Sequence, residues 1–346
     1  MELVNPTPLP GLAFRQFDQN GELDCVVTLR GTFEHVQDGP ARWRDQQMPL
    51  QWQDTYEGDP HLTPMLHQGD LVPEKPGTDV TFLGASHALD GPRRQWPCGI
   101  EVGPMRKTLQ VSGPRQWQPV IRRARWPLRR DEEIIDWSLG EAEPAESVPM
   151  DWRLAAGGRG AFVDAERDPD NPIGCGRIGP REAWRNRPVP APQISAGSDM
   201  TPAASPVGLG PVPPFWRQRH RHAGTYDEAW LSDRHPLLPQ DFNPQFWQCA
   251  PEDQVVQPWL KGDEGYRLTN LHPEHSQATG RLPGLGFAVR VDDGAWTPLN
   301  LDGVQFDWRQ EALILLTWRA RFPLPEALGV KLHLAWRWLT GAEAAA

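Results

Sequence analysis

Two runs near the end of the chain decide its class: ILLTWRARF at residues 314–322 and VKLHLAWRW at 330–338. In the first, Ile314, Leu316, Trp318, Ala320 and Phe322 fall on every second position. In the second, Val330, Leu332, Leu334, Trp336 and Trp338 do the same and face Lys331, His333 and Arg337. Period two marks an extended strand with one buried face, and a slip of one residue would turn the charges inward. Leu23, Cys25, Val27, Leu29, Gly31 and Phe33 repeat the pattern near the N-terminus, with Asp24, Thr28 and Arg30 opposite. All of these runs read as half-buried antiparallel strands.

Working inward, residues 79–87, 99–103, 105–111, 117–126, 285–292 and 304–309 read as further strands. Asp90-Gly91, Gly103-Pro104, Gly113-Pro114, Asp293-Gly294 and Asp302-Gly303 read as the turns between them. Aspartate–glycine pairs between alternating runs are a strong short-range hairpin signal. The expectation is a mainly β protein of two antiparallel sheet halves, sandwich or barrel-like, with few short helices. Residues 1–186 form the N-terminal half and 215–346 the C-terminal half. Between them, 187–214 carries eight prolines and no alternation, so an extended polyproline-like crossing or a mobile loop is expected. The best helix start is Thr225-Tyr226-Asp227-Glu228, a capping-box pattern that places a helix near 225–233, stopped by Pro236.

The 346 residues include 32 Gly, 38 Pro and 17 Trp against 3 Tyr and 11 Phe. Proline at this density excludes coiled coils and long bundles. The tryptophans supply a core that the sparse aliphatics would not, because each buried indole removes roughly 150–250 Å² from water. A net charge of −10 lacks the basic excess a duplex binder needs, so no nucleic-acid partner is expected. The densest basic stretch, Arg122, Arg123 and Arg125 with Arg129 and Arg130, is answered at once by Asp131, Glu132 and Glu133. Cys25, Cys98, Cys175 and Cys249 are scattered without CxxC spacing and read as reduced, small apolar residues. Neither a signal peptide nor a long apolar span is visible, so a cytoplasmic protein with no membrane partner is expected.

The motifs that could carry chemistry sit in contexts that oppose it. Gly174-Cys175-Gly176-Arg177-Ile178-Gly179 matches GxGxxG, but Pro169, Pro172 and Pro180 deny it the strand and helix that a dinucleotide needs. Gly84-Ala85-Ser86-His87-Ala88 approximates a nucleophile elbow, yet Asp90-Gly91 and Pro97 leave no room for the helix after it. His220 and His222 have no third metal ligand at a recognised spacing, and Pro273 spoils the helical face that His272 and His275 would need. Asp164, Glu166, Asp168, Asp170 and Asn171 lack the glycine and final glutamate of a calcium loop. Lys75 and Asp79 either pair across Pro76-Gly77 and pin the start of a strand or stand as unpaired surface charges. No catalytic, metal or cofactor site is expected.

Several blocks, taken in order, carry a resemblance: EKPGTDV at 74–80, LGASHA at 83–88, GIEVGPMRK at 99–107, GPRQW at 113–117, NPIGCG at 171–176, GTYDEAWL at 224–231, PLLPQDF at 236–242 and FWQCAPEDQ at 246–254. The chain resembles a bacterial domain-of-unknown-function family encoded in type VI secretion clusters beside VgrG spike and toxic effector genes. What the resemblance implies is an effector adaptor or chaperone. Such a protein is not an enzyme, and its partners are the effector and the VgrG/PAAR spike components. Cys98 and the 188–214 stretch are where this chain looks individual.

An adaptor needs a soluble surface that still offers apolar contact, and tryptophan supplies large contact area at low entropy cost. The aromatic-dense region at 215–259 is therefore the expected partner surface, with Trp216, Tyr226, Trp230, Phe242, Phe246, Trp247 and Trp259 as its candidates. These rings could equally pack the short helix onto the C-terminal sheet. The alternative function is a Trp-rich β-sheet carbohydrate-binding protein or hydrolase, in which indoles stack on sugars and two carboxylates act as acid and base. A third reading, a piece of a secreted effector, has no toxin-like segment to support it.

Overall fold

The alternating runs at both ends are strands in the structure, a computed structural model that describes residues 1–124, 132–159, 167–178, 187–197, 200–324 and 329–339. Arg125, Arg129, Arg130 and Asp131 of the basic stretch, Asp164 and Glu166 of the acidic run, and Gly179 lie outside the described residues. In chain order the principal strands are β1 (Glu2–Val4), β2 (Gly11–Phe17), β3 (Leu23–Glu34), β4 (Arg42–Trp43), β5 (Thr78–Leu83), β6 (Gln95–Val102), β7 (Met105–Ser112), β8 (Gln116–Ala124), β9 (Glu132–Leu139), β10 (Val189–Pro190) and β11 (Ile194–Ser195). After two short helices, α1 (Arg217–His220) and α2 (Glu228–Asp233), come β12 (Val255–Val256), β13 (Gly265–Thr269), β14 (Gln277–Arg281), β15 (Leu285–Val291), β16 (Thr297–Asp307), β17 (Leu313–Pro323) and β18 (Lys331–Trp338).

Ten of these form one curled sheet in the order β1-β18-β15-β16-β17-β3-β2, with β4 on β3, β5 on β16 and β12 on β5. Five more form a second sheet, β11-β7-β6-β13-β14. The two pack through one core. Val27, Leu29, Leu316 and Trp318 of the large sheet share it with Ile100, Leu109 and Leu268 of the small one. The Tyr266 ring meets Phe306 edge-on at 5.1 Å between centroids. A third sheet, β9-β8-β10, has its own small core of Trp117, Val189, Ala191 and Met200.

Strand pairing does not follow the division at 187–214. β3 pairs with β17 over eleven residues, and β6 pairs with β13, so both large sheets are built from both sides of the proline-rich stretch. Nor is every pairing antiparallel: β1 runs parallel to β18, and β5 parallel to β16. The stretch itself is not a free crossing. It contributes β10 and β11, and Leu209 and Val212 are fully buried. Side chains lock it in place. Trp152 Nε1 donates to the carbonyls of Gly210 and Pro211, at 3.3 and 3.1 Å, and Gln254 Nε2 donates to the carbonyls of Val80 and Leu209, at 2.7 and 3.1 Å. Buried carbonyls in a strand-poor segment need such donors.

Of the expected turns, Gly103-Pro104 closes the β6–β7 hairpin as a two-residue loop, with Gly103 at φ +54°. Asp293-Gly294 lies in the β15–β16 connection. Asp302-Gly303 is not a turn. It lies within β16, where the register against β17 shifts between Leu301 and Gly303. Asp302 is the extra residue of that bulge, and the strand changes neighbours there, from β15 before it to β5 after it. The helix also starts later than the capping box implies. Asp227 caps α2 by accepting from Trp230 N at 2.8 Å, while Thr225 is held by Asp241.

The expected half-burial of β3 is the largest correction, because every residue from Asp24 to Phe33 is buried. Residues 44–75 cover the face that would otherwise meet water, and its charges are paired there. Arg30 meets Asp70 at 3.1 Å, Arg319 meets Asp302, and Lys75 meets Asp79 at 2.6 Å. The Asp79 carboxylate also accepts from Gln248 Nε2, Cys249 N and Ala250 N, at 2.9, 2.8 and 3.0 Å. Burial alone would raise this carboxyl, but the Lys75 ammonium and these donors hold it below its ordinary value. Lys75 and Asp79 therefore pin the start of β5.

Candidate functional site: an open seam in the curled sheet

Along β18 the alternating stripe is buried at Leu332 and Leu334 and then opens. Trp336 is 47% exposed, and with Trp338 it lines a cavity of about 650 Å³. The cause lies in the sheet order. β1 covers the outer edge of β18 only at Lys331, Leu332 and His333. The chain then leaves toward β2, which pairs at the far side of the sheet. Thus β1 and β2 bring the two ends of the curled sheet together without closing it, and a seam remains between β18 and the β3–β4 pair.

Aromatic rings line this seam on both sides. Trp43 meets Phe33 edge-on at 5.5 Å, Phe33 meets Trp318 at 6.4 Å, and Trp318 meets Phe287 at 4.7 Å. Across the seam from Trp43 and Phe33, Trp336 and Trp338 sit 5.8 Å apart, with Phe287 the cross-strand neighbour of Trp336. Leu9, Ala41 and Leu285 fill the gaps between the rings, and Arg42 stands at the rim, paired with Glu34. A second hollow, of about 660 Å³, shares Trp336 and Phe287 with the first and reaches Trp259 and Trp296. Apolar, aromatic concavities of this size are where proteins take ligands or partner side chains.

The residues expected at a partner surface are dispersed. Trp216 is fully buried against Trp152, with rings 5.4 Å apart. Tyr226 is exposed on Trp230 at 4.7 Å. Phe242 is buried and forms a triangle with the half-buried Phe246 and Trp247, with rings 5.1 to 5.7 Å apart. Trp259 stands apart from these, donating its Nε1 to the Lys75 carbonyl at 2.9 Å, and it alone reaches the hollow beside the seam. Sequence reasoning read Trp336 and Trp338 as core and missed the seam. The available signal was two indoles continuing a core stripe to the last turn of a terminal strand.

The other motifs have structural places. Ser86 donates to the Asn270 carbonyl at 2.9 Å and accepts from Trp96 Nε1 at 2.8 Å. Cys175 and Gly176 pair in parallel with Ala156 and Gly157 as a two-residue ladder, not a strand-to-helix turn. His222 lies 3.8 Å from Glu252, and His272 Nδ1 accepts the backbone N–H groups of Glu274 and His275. Asp170 pairs with Arg217, and Asn171 donates to the carbonyls of Trp152 and Ala156. Among the described residues no group of three or more His, Cys, Asp or Glu is placed to hold a metal ion, and no helix is long and apolar enough to cross a membrane. Burial pushes the Cys98 and Cys249 thiols up to about 12, which removes them as nucleophiles at neutral pH.

Fold and site together define a mainly β protein whose curled sheet is left open at an aromatic seam. The chain belongs to a family described as an uncharacterized protein conserved in bacteria (DUF2169), whose model matches residues 20–319. No curated protein and no solved structure matches it.

Proposed function

We propose that this protein is a non-enzymatic adaptor that binds a type VI secretion effector in the cytosol and assists its loading onto the VgrG spike. The observation that supports the reading best is the open aromatic seam. It offers a large apolar contact on a chain whose net charge of −10 keeps it soluble. Binding energy in protein interfaces concentrates in a few aromatic anchors seated in desolvated pockets. Trp43, Phe33, Phe287, Trp336 and Trp338 form such a pocket, and nothing in the described chain fills it. The ordered sequence blocks that resemble the secretion-linked family add the identity of the partner.

The test is co-expression with the products of the neighbouring genes. A stoichiometric complex with an effector, and loss of effector solubility or spike loading when the adaptor is deleted, is expected. An effector that neither binds nor changes in solubility on deletion overturns the reading.

A further inference from the structure

The seam has a property that an apolar pocket alone does not. Its β18 side is an unpaired strand edge. Asp292 N donates to the Lys331 carbonyl, and Leu339 N donates to the Gly284 carbonyl, both toward the β15 side. In an antiparallel ladder the direction of hydrogen bonding alternates with residue number. The odd residues of β18 therefore bond β15, and the even ones point to the opposite edge. Glu2 N donating to the Val330 carbonyl fits the same phase. The last residue of β18 that β1 pairs is His333. Among the described residues, the N–H and C=O groups of Trp336 and Trp338 have no backbone partner. They open on the same gap as the cavity.

Charge adds a second condition. β15 and β18 carry Arg290, Lys331, His333 and Arg337 and no aspartate or glutamate, a basic strip on an acidic protein. Arg290 lies over Trp296 at 4.9 Å, and Lys331 has Glu2 at 3.9 Å. Arg337 is exposed and, among the described residues, has no ion pair. Because side chains alternate, a strand laid along β18 sends every second side chain into the cavity. It sends the others to the outer face, beside Arg337.

We propose that an extended segment of the effector, alternating apolar and acidic residues, adds to β18 as a strand and fills the seam. Main-chain bonds to Trp336 and Trp338 supply registry. Apolar side chains enter between Trp336, Trp338, Phe33 and Phe287, and an acidic one meets Arg337. Strand addition to an exposed edge with pockets for alternate side chains is an established recognition mode. The partner's identity here rests on the adaptor reading; the site itself does not.

The probe is a fluorescent nine-residue peptide of alternating valine and glutamate, titrated into the full chain and followed by anisotropy. Saturable binding is expected, weakened at least tenfold by N-methylation of the amides on one edge of the peptide, and at least tenfold when lysine replaces glutamate. On the protein, Trp336→Pro removes an N–H that no sheet bond uses, so proline is tolerated there as on any free edge. It is expected to bind at least tenfold more weakly than Trp336→Ala. Absence of binding, equal binding when either edge of the peptide is methylated, or equal binding by the lysine peptide overturns the proposal. These peptide comparisons use the unmutated protein and hold even if a variant fails to fold. A solution dimer that Trp336→Pro abolishes would assign the edge to a second copy and also overturn it. An effector that co-purifies equally with the wild type and Trp336→Pro would overturn the seam while leaving the adaptor reading intact. Failure of any effector to co-purify would overturn only the latter.

Discussion

Asp79 is the residue on which the start of β5 depends, because four donors converge on one buried carboxylate. Replacing it with asparagine leaves Lys75 buried without its ion-pair partner and turns an amide N–H toward a backbone donor. Breaking a buried pair from one side costs about 3–5 kcal/mol, so Asp79→Asn should lower the urea midpoint by that equivalent with an unchanged m-value. Since the folded carboxyl titrates below its ordinary value, this stability is present at neutral pH and lost as the pH falls through the folded value. His67 behaves as a second acid-sensitive point. Burial, with Arg30 nearby, lowers it to about 4, while it contacts Gln305 at 2.6 Å and Asp307 at 3.6 Å. From about pH 6.5 down to about 4 the unfolded chain binds a proton that the folded chain refuses, a loss of roughly 3 kcal/mol. Urea titrations across that range should show a shallower pH slope for His67→Gln than for the wild type.

At the scale of elements, the proline-rich stretch is held by hydrogen bonds that its own composition does not announce. Gln254→Leu removes the donor to the Val80 carbonyl and one of the donors to Leu209, costing about 1–3 kcal/mol for buried groups left unpaired. Hydrogen exchange should speed up at Gly208–Val212 while β3 and β17 remain protected. The same contrast shows what could be read from the sequence. β3, β17 and β18 were legible because period-two alternation encodes one buried face directly. The burial of the other face of β3 was not, because its cover is the irregular segment 44–75 and its charges carry no mark of being paired. Asp302-Gly303 misleads for a related reason, since a bulge and a turn use the same residues and only the partner strands decide between them. For the site, the residue type was legible and the position was not. Tryptophan excess pointed to contact surface, but the aromatic-dense segment drew attention to Trp216 and Phe242, which the fold buries. The seam depends on where β1 stops, a consequence of sheet order that no local pattern carries.

At the scale of the whole molecule the tryptophans divide by work. Trp96, Trp117, Trp152, Trp216 and Trp318 are buried, whereas Trp52, Trp259, Trp296 and Trp336 are exposed. The buried group holds the sheets together, so truncating Trp216 or Trp318 to alanine should cost about 3–5 kcal/mol, as for other large core side chains. The seam group has a different balance. Trp336 already meets water over nearly half its surface, and Trp338 lies beside it at the end of β18. The double substitution Trp336→Ala with Trp338→Ala therefore removes cavity wall more than core. Its expected cost to stability is below about 2 kcal/mol, within the ordinary range for partly exposed positions. If the seam takes a partner as proposed, the expected effect is loss of the complex, because both indoles on one side of the seam disappear while Trp43 and Phe33 face an emptied groove. Urea unfolding and co-purification measured on the same preparation separate the two quantities. A double variant that keeps its urea midpoint and still retains the partner would show that the exposed tryptophans of the seam are not where the partner binds.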